Sequence, residues 1–329
     1  MNNDWYCLHV FLSDHEAGTE FLLDWLQPKV RQLGETGASR GWFFLRYWHG
    51  GPHFRIRWKG LHGETRQSLH ADAVQAAQHW SASNPPSREA YYALHTFDGQ
   101  PEDVASLPWW DEGSVAELPY EPEWDRYGGE LGTEVNEALF ELSSNISLAV
   151  IRASQHDLSR RISLALPLMS ASVLAFDPKG SSLREFFQRY ANYWQAIAGD
   201  SAASPHALAG VAQHAQALRA QIVRIAAGSP AKGAEAMWVQ GLQQAFRRFD
   251  ALREAGQLRS PLFAGPVRDA RQFEDAVFSM LSSQIHMMNN RLGFAPAHEY
   301  LLAQSLIRAA DLLRSQDSQA QIALATAIA

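Results

Sequence analysis

Between Gly41 and Trp58 the chain reads Gly-Trp-Phe-Phe-Leu-Arg-Tyr-Trp-His-Gly-Gly-Pro-His-Phe-Arg-Ile-Arg-Trp, and this stretch limits the fold more than any other. Two aromatic-rich runs flank His49-Gly50-Gly51-Pro52, a cluster of turn formers, which predicts a β-hairpin with about a four-residue loop. Regular pairing across that loop sets Trp48 opposite His53, Arg46 opposite Arg55 and Phe44 opposite Arg57, all on one side of the sheet. The other side then carries Tyr47/Phe54, Leu45/Ile56 and Phe43/Trp58, an apolar face that a one-residue slip scrambles.

Two arginines directly opposite one another repel, and such cross-strand pairs cost stability. Something anionic is therefore expected over them. Either Asp or Glu from another segment neutralises them, aided by stacking on Trp48 and Trp42, or the pair docks a substrate carboxylate or phosphate, which Arg grips as a planar fork.

With 329 residues, 46% hydrophobic and 19% charged, the chain can bury a substantial core and belongs with ordinary globular proteins. A formal charge of −7 argues against a general nucleic-acid binder, although it leaves room for a local basic pocket. The one cysteine, Cys7, excludes an intramolecular disulfide and sits in an apolar run as a small buried residue. No basic segment followed by an apolar one opens the chain, and no run of about eighteen apolar residues occurs, so a soluble, cytoplasmic protein that does not engage a membrane is expected.

Taken in order, Trp5–Leu12 reads as a buried strand, and Ser13 with Glu16 reads as a capping box for a helix to about Leu33. After the hairpin, a second helix is expected over about 65–81, ended before Asn84-Pro85-Pro86. Ala90–Phe97, rich in strand formers, predicts a further strand. From Asp98 to Glu130 periodicity disappears, and a loop of such length is usually functional or disordered. Its aromatic content favours an ordered, packed loop, and its Glu121, Glu123 and Asp125 are candidates for neutralising the hairpin arginines. Gly128-Gly129 then allows a tight turn into a helix over about 132–158.

Beyond this point the chain reads as helical almost throughout. Leu208, Val211, Ala215, Leu218, Ile222 and Ile225 follow helical spacing, as do Trp238, Leu242, Phe246 and Phe249. In a third helix, over about 267–292, Phe273, Val277, Met280, Leu281, Ile285, Met288 and Leu292 share one arc, while Ser282, His286 and Asn290 lie opposite. A final helix follows Pro296 to about Gln316. The fold class is therefore α+β: a single domain over 1–329, with a mostly antiparallel sheet and packed helices in 1–130 and a mainly helical half in 131–329.

Glycine-rich phosphate loops, Cys-x-x-Cys and His-Glu-x-x-His are all missing from the sequence. Thirteen histidines are many, but His49, His53, His9 and His15 have no convincing partner ligands, so neither a metal site nor a cofactor is expected. Ser282 and Ser283 near His286 lack a nucleophile elbow.

Several separated motifs carry a family resemblance. Trp5-Tyr6, Trp42 to Arg57, Glu123-x-x-Arg126-Tyr127-Gly128-Gly129 and Ile285-His286-Met287-x-x-Asn290-Arg291-Leu292 resemble the C-terminal elimination domain of class I lanthipeptide dehydratases, which also occurs as a stand-alone protein in thiopeptide-type bacteriocin biosynthesis. The resemblance implies that a glutamyl-tRNA-dependent partner protein esterifies Ser or Thr of a ribosomally made precursor peptide. This chain would then eliminate the glutamate, leaving dehydroalanine or dehydrobutyrine. It implies catalytic roles for Arg55, Arg57, Arg126 and His286. Beside them Arg46, His53 and Asn290 are expected to bind substrate.

The chemistry agrees with the residue types. β-Elimination needs a base for the peptide α-proton, a means of helping the glutamate ester leave and a grip on glutamate's charges; arginine suits the last, and His286, as a histidine titrating near neutrality, can serve as base, acid or both. The same family resemblance includes the pyridine synthases of thiopeptide pathways, which join two dehydroalanines in a formal aza-[4+2] cycloaddition and expel the leader peptide. Retention of the Arg/Arg/Arg/His set favours elimination. A non-catalytic subunit that presents the peptide to a dehydratase is the third alternative, and a homodimer is compatible with the sequence.

Overall fold

A computed structural model describes residues 4–93, 103–198, 205–226 and 232–328. Four strands form one antiparallel sheet in the order β2-β3-β1-β4: β1 (Trp5–Phe11), β2 (Gly41–Tyr47), β3 (His53–Lys59) and the short β4 (Val115–Glu117). Helices α1 (His15–Glu20) and α2 (Gln27–Glu35) are joined by a π-helical turn, Phe21–Leu26, and α3 (Gly63–Trp80) follows the hairpin. After α4 (Arg88–Ala93) and the β4 loop come the long helices α5 (Gly129–Ser154), α6 (Leu158–Leu174), α7 (Leu183–Ala198), α8 (Pro205–Ala226), α9 (Gly233–Glu254), α10 (Ala270–Leu292) and α11 (Pro296–Ile328). The expected α+β division therefore holds, and no helix among the described residues is long and apolar enough to cross a membrane.

Three local expectations need correction. Asp14, not Ser13, caps α1, accepting from the N–H groups of Glu16 and Ala17, while the Ser13 N–H is drawn to Glu112 at 2.9 Å. The strand expected over 90–97 is instead helix α4 through Ala93, and residues 94–97 lie outside the described residues. Ser87 Oγ accepts from Ala90 N–H at 3.2 Å, so a local side-chain cap overrides the strand propensity of the tyrosines. The helix expected over 132–158 stops at Ser154, where Gln155 adopts φ 46, and Asp157 caps a new helix by accepting from Arg160 N–H.

The hairpin forms, but with its register one residue away from the expected one. Tyr47 pairs with His53, Leu45 with Arg55, Phe43 with Arg57, and Arg46 with Phe54. Trp48 leaves the ladder: its carbonyl accepts from Gly51 N–H at 3.1 Å, which lengthens the loop to Trp48–Pro52. Groups remote in sequence hold that loop, since Gly50 N–H donates to the Tyr92 hydroxyl at 3.0 Å and Gly50 O accepts from Trp110 N–H at 3.0 Å. Gly50 has φ 94, and a Cβ there would come within 2.8 Å of the Trp110 ring, so the close approach requires glycine.

The slip separates the arginines. One face carries Arg55 and Arg57 with His53, Leu45, Phe43 and, from β1, His9 and Cys7; the other carries Arg46 with Phe44, Phe54, Ile56, Trp58, Leu8 and Val10. The second face meets Phe21, Leu22 and Leu26 of the π-helical turn and Leu69 and Ala73 of α3 in the main core, where Phe21 stacks on Phe54 at 5.5 Å. The first face looks into the helical half.

β2 is an edge strand, and α5 and α10 satisfy its outward backbone groups. Ser144 Oγ accepts from Phe44 N–H at 3.2 Å, and Arg291 Nε donates to Phe44 O at 2.7 Å. The Asn290 amide accepts from Arg46 N–H at 2.8 Å and donates to Arg46 O at 2.9 Å, the bond pattern of a further strand. Replacing Asn290 by Ala strands both backbone groups and is expected to lower the free energy of unfolding by about 1–3 kcal/mol, measured by urea denaturation. Asn290→Asp, which keeps the acceptor, should recover part of the loss.

Candidate functional site

The inner sheet face, the loop from Leu118 to Tyr127, α7, the last two turns of α10 and the start of α11 enclose a cleft of about 920 Å³. Arg55, Arg57, Arg126 and His286, which come from β3, the loop and α10, all line it. Chain folding therefore brings the four residues to one place from three distant segments.

His286 points from the polar side of α10 into this cleft. Its Nδ1 lies 2.8 Å from Oε1 of Glu299, a residue in the first turn of α11 and only 1% exposed. The other carboxylate oxygen accepts from Asn289 Nδ2 at 2.7 Å and from the Tyr190 hydroxyl. Burial and the Glu299 charge push the Tyr190 phenol well above its usual range, so it remains a donor. The Trp194 ring packs against the imidazole at 4.6 Å. With Nδ1 engaged by the Glu299 carboxylate, Nε2 is the ring nitrogen left for substrate, an orientation that suits proton transfer.

Sequence reasoning missed Glu299, Tyr190 and Trp194. Glu299 follows Pro296 at a helix start, where an acidic residue ordinarily just complements the helix dipole, so its sequence signal is generic. Tyr190 and Trp194 belong to the apolar stripe of α7, where aromatic residues read as core.

The arginines of β3 have no carboxylate within 4.0 Å among the described residues. Arg55 stacks flat on Tyr47, its guanidinium carbon 3.4 Å from the ring centroid, and its Nε donates to His53 Nε2 at 3.2 Å. Burial lowers Arg55 to about 10, with Tyr47, Glu121 and Glu123 opposing and Arg57 reinforcing the fall, so it stays cationic at neutral pH. Arg57 is 8% exposed and lies between the rings of Tyr120, at 4.4 Å, and Phe43, at 5.1 Å. These faces favour the cation but contribute no lone pair to its N–H groups.

Arg126 is tied differently. Its Nε donates to Ser283 Oγ at 3.0 Å, which anchors it one turn of α10 before His286, and its Nη1 reaches Glu123 at 3.4 Å. Of the acidic residues expected to neutralise the hairpin, Glu123 thus pairs with Arg126; Glu121 and Glu123 act on Arg55 only from beyond ion-pair distance.

The expected substrate-binding residues divide. His53 is buried, with Nδ1 2.8 Å from Gly51 O, so its Nε2 is the acceptor that ties back Arg55 and leaves both Nη groups of that arginine free to form a fork. Asn290 spends its amide on the β2 edge. Arg46, expected beside Arg55, has its side chain on the opposite sheet face: its guanidinium lies 4.8 Å from the Phe54 ring and donates from Nε to Arg291 O at 3.3 Å, near the end of α10, while the residue still borders the cleft, as Asn290 does. The physical cause is the two-residue repeat of a strand, in which a shift of one residue moves every side chain to the other face.

A family model described as lantibiotic biosynthesis dehydratase C-terminal matches residues 5–310. Among solved structures, TsrL shares the fold with a TM-score of 0.64 at 16% identity, over 93% of this chain and 93% of its own. TbtD, a pyridine synthase from thiomuracin biosynthesis, aligns with a TM-score of 0.67 at 16% identity, over 93% of this chain and 97% of its own. MibB, a tRNA-dependent lantibiotic dehydratase from Microbispora sp. 107891, aligns over 95% of this chain but only 28% of its own, with a TM-score of 0.52 and 19% identity. No curated protein matches the sequence.

Two neutral imidazoles, His9 and His53, stack at 4.9 Å beside the arginines. Burial lowers His9 to about 2 and His53 to about 3, and the neighbouring positive charges add to both shifts. Below the ordinary histidine range the unfolded chain takes up protons that the folded chain refuses, so stability is complete above about pH 6.5 and falls as the pH drops towards 3. Between pH 7 and pH 5 each buried imidazole is expected to cost roughly 2 kcal/mol, read from denaturant midpoints, and His9→Gln should flatten that slope.

Proposed function

We propose, from the premise that this chain belongs to the lantibiotic biosynthesis dehydratase C-terminal family, that it eliminates glutamate from glutamylated Ser or Thr residues of a ribosomally made precursor peptide. The observation that carries this is the meeting of an oriented base, His286 on buried Glu299, with Arg55 and Arg57, which have no carboxylate partner among the described residues, in one cleft. A substrate bearing carboxylates supplies the missing counter-charge, and a β-elimination uses the base.

In this mechanism His286 Nε2 takes the α-proton of the esterified residue. The C–H electron pair forms the Cα=Cβ double bond, the Cβ–O bond breaks, and its electrons leave on the glutamate carboxylate. Glu299 holds the ring in the required tautomer and stabilises the imidazolium as it forms, an electrostatic role that does not require the carboxylate to take the proton. Arginine side chains of the cleft stabilise the charge developing on the departing carboxylate, and a partly enclosed site makes that contribution larger than it would be in water. Glutamylation of the peptide is assigned to a glutamyl-tRNA-dependent partner protein.

A second reading, pyridine synthesis by formal aza-[4+2] cycloaddition, draws support from the alignment of nearly the whole chain with nearly all of TbtD. That reaction offers no glutamate to the arginines, and for this reason elimination is preferred.

Incubated with a glutamylated precursor peptide and followed by mass spectrometry, the protein should release one glutamic acid per ester and leave dehydroamino acids. His286→Ala should slow this by about 10²–10⁴-fold, and Glu299→Gln should lower kcat more than it raises KM. Full activity in His286→Ala would sink the proposal. Formation of a six-membered nitrogen ring with loss of the leader, from a peptide already carrying paired dehydroalanines, would establish the second reading instead.

A further inference from the structure

Arg291 clamps the β2 edge, yet it is 1% exposed and contributes to the wall of the cleft. Its Nε is accounted for by Phe44 O, but Nη1 has no acceptor among the described residues. The same holds for Nε of Arg57, itself 8% exposed. Burial lowers Arg291 to about 9, with Tyr127 opposing and the Arg57 charge reinforcing the fall, so Arg291 stays cationic at neutral pH and senses the Arg57 charge.

The surroundings of these two N–H groups are aromatic apart from the buried Cys7 thiol, which hydrogen-bonds the Arg57 side chain. The Arg57 guanidinium faces Tyr120 and Phe43; that of Arg291 lies 5.8 Å from the Phe140 ring. Phe140 in turn packs on Phe43 at 5.2 Å and on Tyr127 at 4.9 Å, which makes one continuous wall. Burial pushes the Tyr127 phenol up to about 12, so it supplies no negative charge. Two buried like charges, each with an unanswered donor, are stabilised by an anion shared between them.

We propose that Arg57 and Arg291 form an inner anion subsite, distinct from Arg55 and Arg126, that takes the free carboxylate of the glutamyl group while the outer pair serves the carboxylate that departs. This rests on the glutamate reading above and adds a residue and a division of labour to it. The aromatic wall favours a small planar anion, and guanidinium N–H groups suit a carboxylate as charge-assisted donors. Because Arg291 lies on the same helix as His286, one turn and a half further on, occupation of the inner subsite also fixes the base relative to the ester. Selection for glutamyl over shorter acidic groups follows, since the distance between inner and outer carboxylates is set by the protein.

Titration calorimetry with glutarate, a dicarboxylate that cannot react, tests the subsite without turnover. Wild-type protein is expected to bind glutarate, and Arg291→Gln to bind it about tenfold or more weakly, with Arg291→Lys between the two. Unchanged affinity in Arg291→Gln overturns the subsite. Should that variant fail to fold by circular dichroism, a crystal of wild-type protein soaked in glutarate decides: a carboxylate bonded to Arg57 Nε and Arg291 Nη1 supports the subsite, and one found only at Arg55 and Arg126, or none, overturns it. Glutarate binding that depends on Arg291, in a protein that releases no glutamate from the ester, defeats elimination and leaves the subsite standing. Elimination with normal glutarate binding in Arg291→Gln does the reverse.

Discussion

The rest of the structure depends on how the outer edge of β2 is closed. An edge strand presents a row of backbone donors and acceptors that must find partners, and here those partners are side chains of helices from the other half of the chain. Apolar packing alone would let a helix slide along the sheet, because such contacts are nearly indifferent to a displacement of an ångström or two. Hydrogen bonds from Asn290 to both backbone groups of Arg46 permit one position. Since His286 stands one turn before Asn290 on α10, the same bonds set the distance between the imidazole and the arginines of β3.

Around that joint the protein concentrates positive charge while keeping the acidic residues at arm's length or otherwise engaged. Glu123 is paired with Arg126, Glu137 accepts from Lys59 and Trp5, and Glu299 is enclosed by His286, Asn289 and Tyr190. Arg55 and Arg57 are held by aromatic faces, which stabilise a cation without consuming its hydrogen-bonding capacity. His53 and His9, kept neutral by burial, fill the space beside them without adding charge. A site assembled in this way is poor in self-satisfaction and suited to an incoming anion, in accordance with the tendency of unmet polar groups to collect where binding occurs.

The helical half contributes a second, independent constraint. Glu299 is buried at the start of α11, where a carboxylate is favoured by the helix N-terminus, and three donors from α7 and α10 converge on it. A carboxylate so enclosed fixes the imidazole plane as well as its tautomer. Trp194 closes the other side of the ring, so the orientation of His286 is set by packing as well as by hydrogen bonding.

Several parts of this were legible in the sequence. A continuous apolar run announced β1, aromatic runs around turn formers announced the hairpin, helical stripes announced the second half, and the spaced motifs pointed to Arg55, Arg57, Arg126 and His286, because period, turn chemistry and motif spacing are local properties of the chain. The hairpin register was not local: Tyr92 and Trp110, distant in sequence, hold a loop one residue longer than its turn formers suggest, and the register that goes with it puts the Arg46 side chain on the other face. Ser87 likewise made a helix where tyrosines suggested a strand. Glu299 and Tyr190 carried ordinary sequence signals, and Arg291 stood in a motif that said nothing of its burial; all three acquired their surroundings only when α7, α10 and α11 met, because burial, and the demand for a partner that burial creates, belong to the packed structure and not to any segment of it.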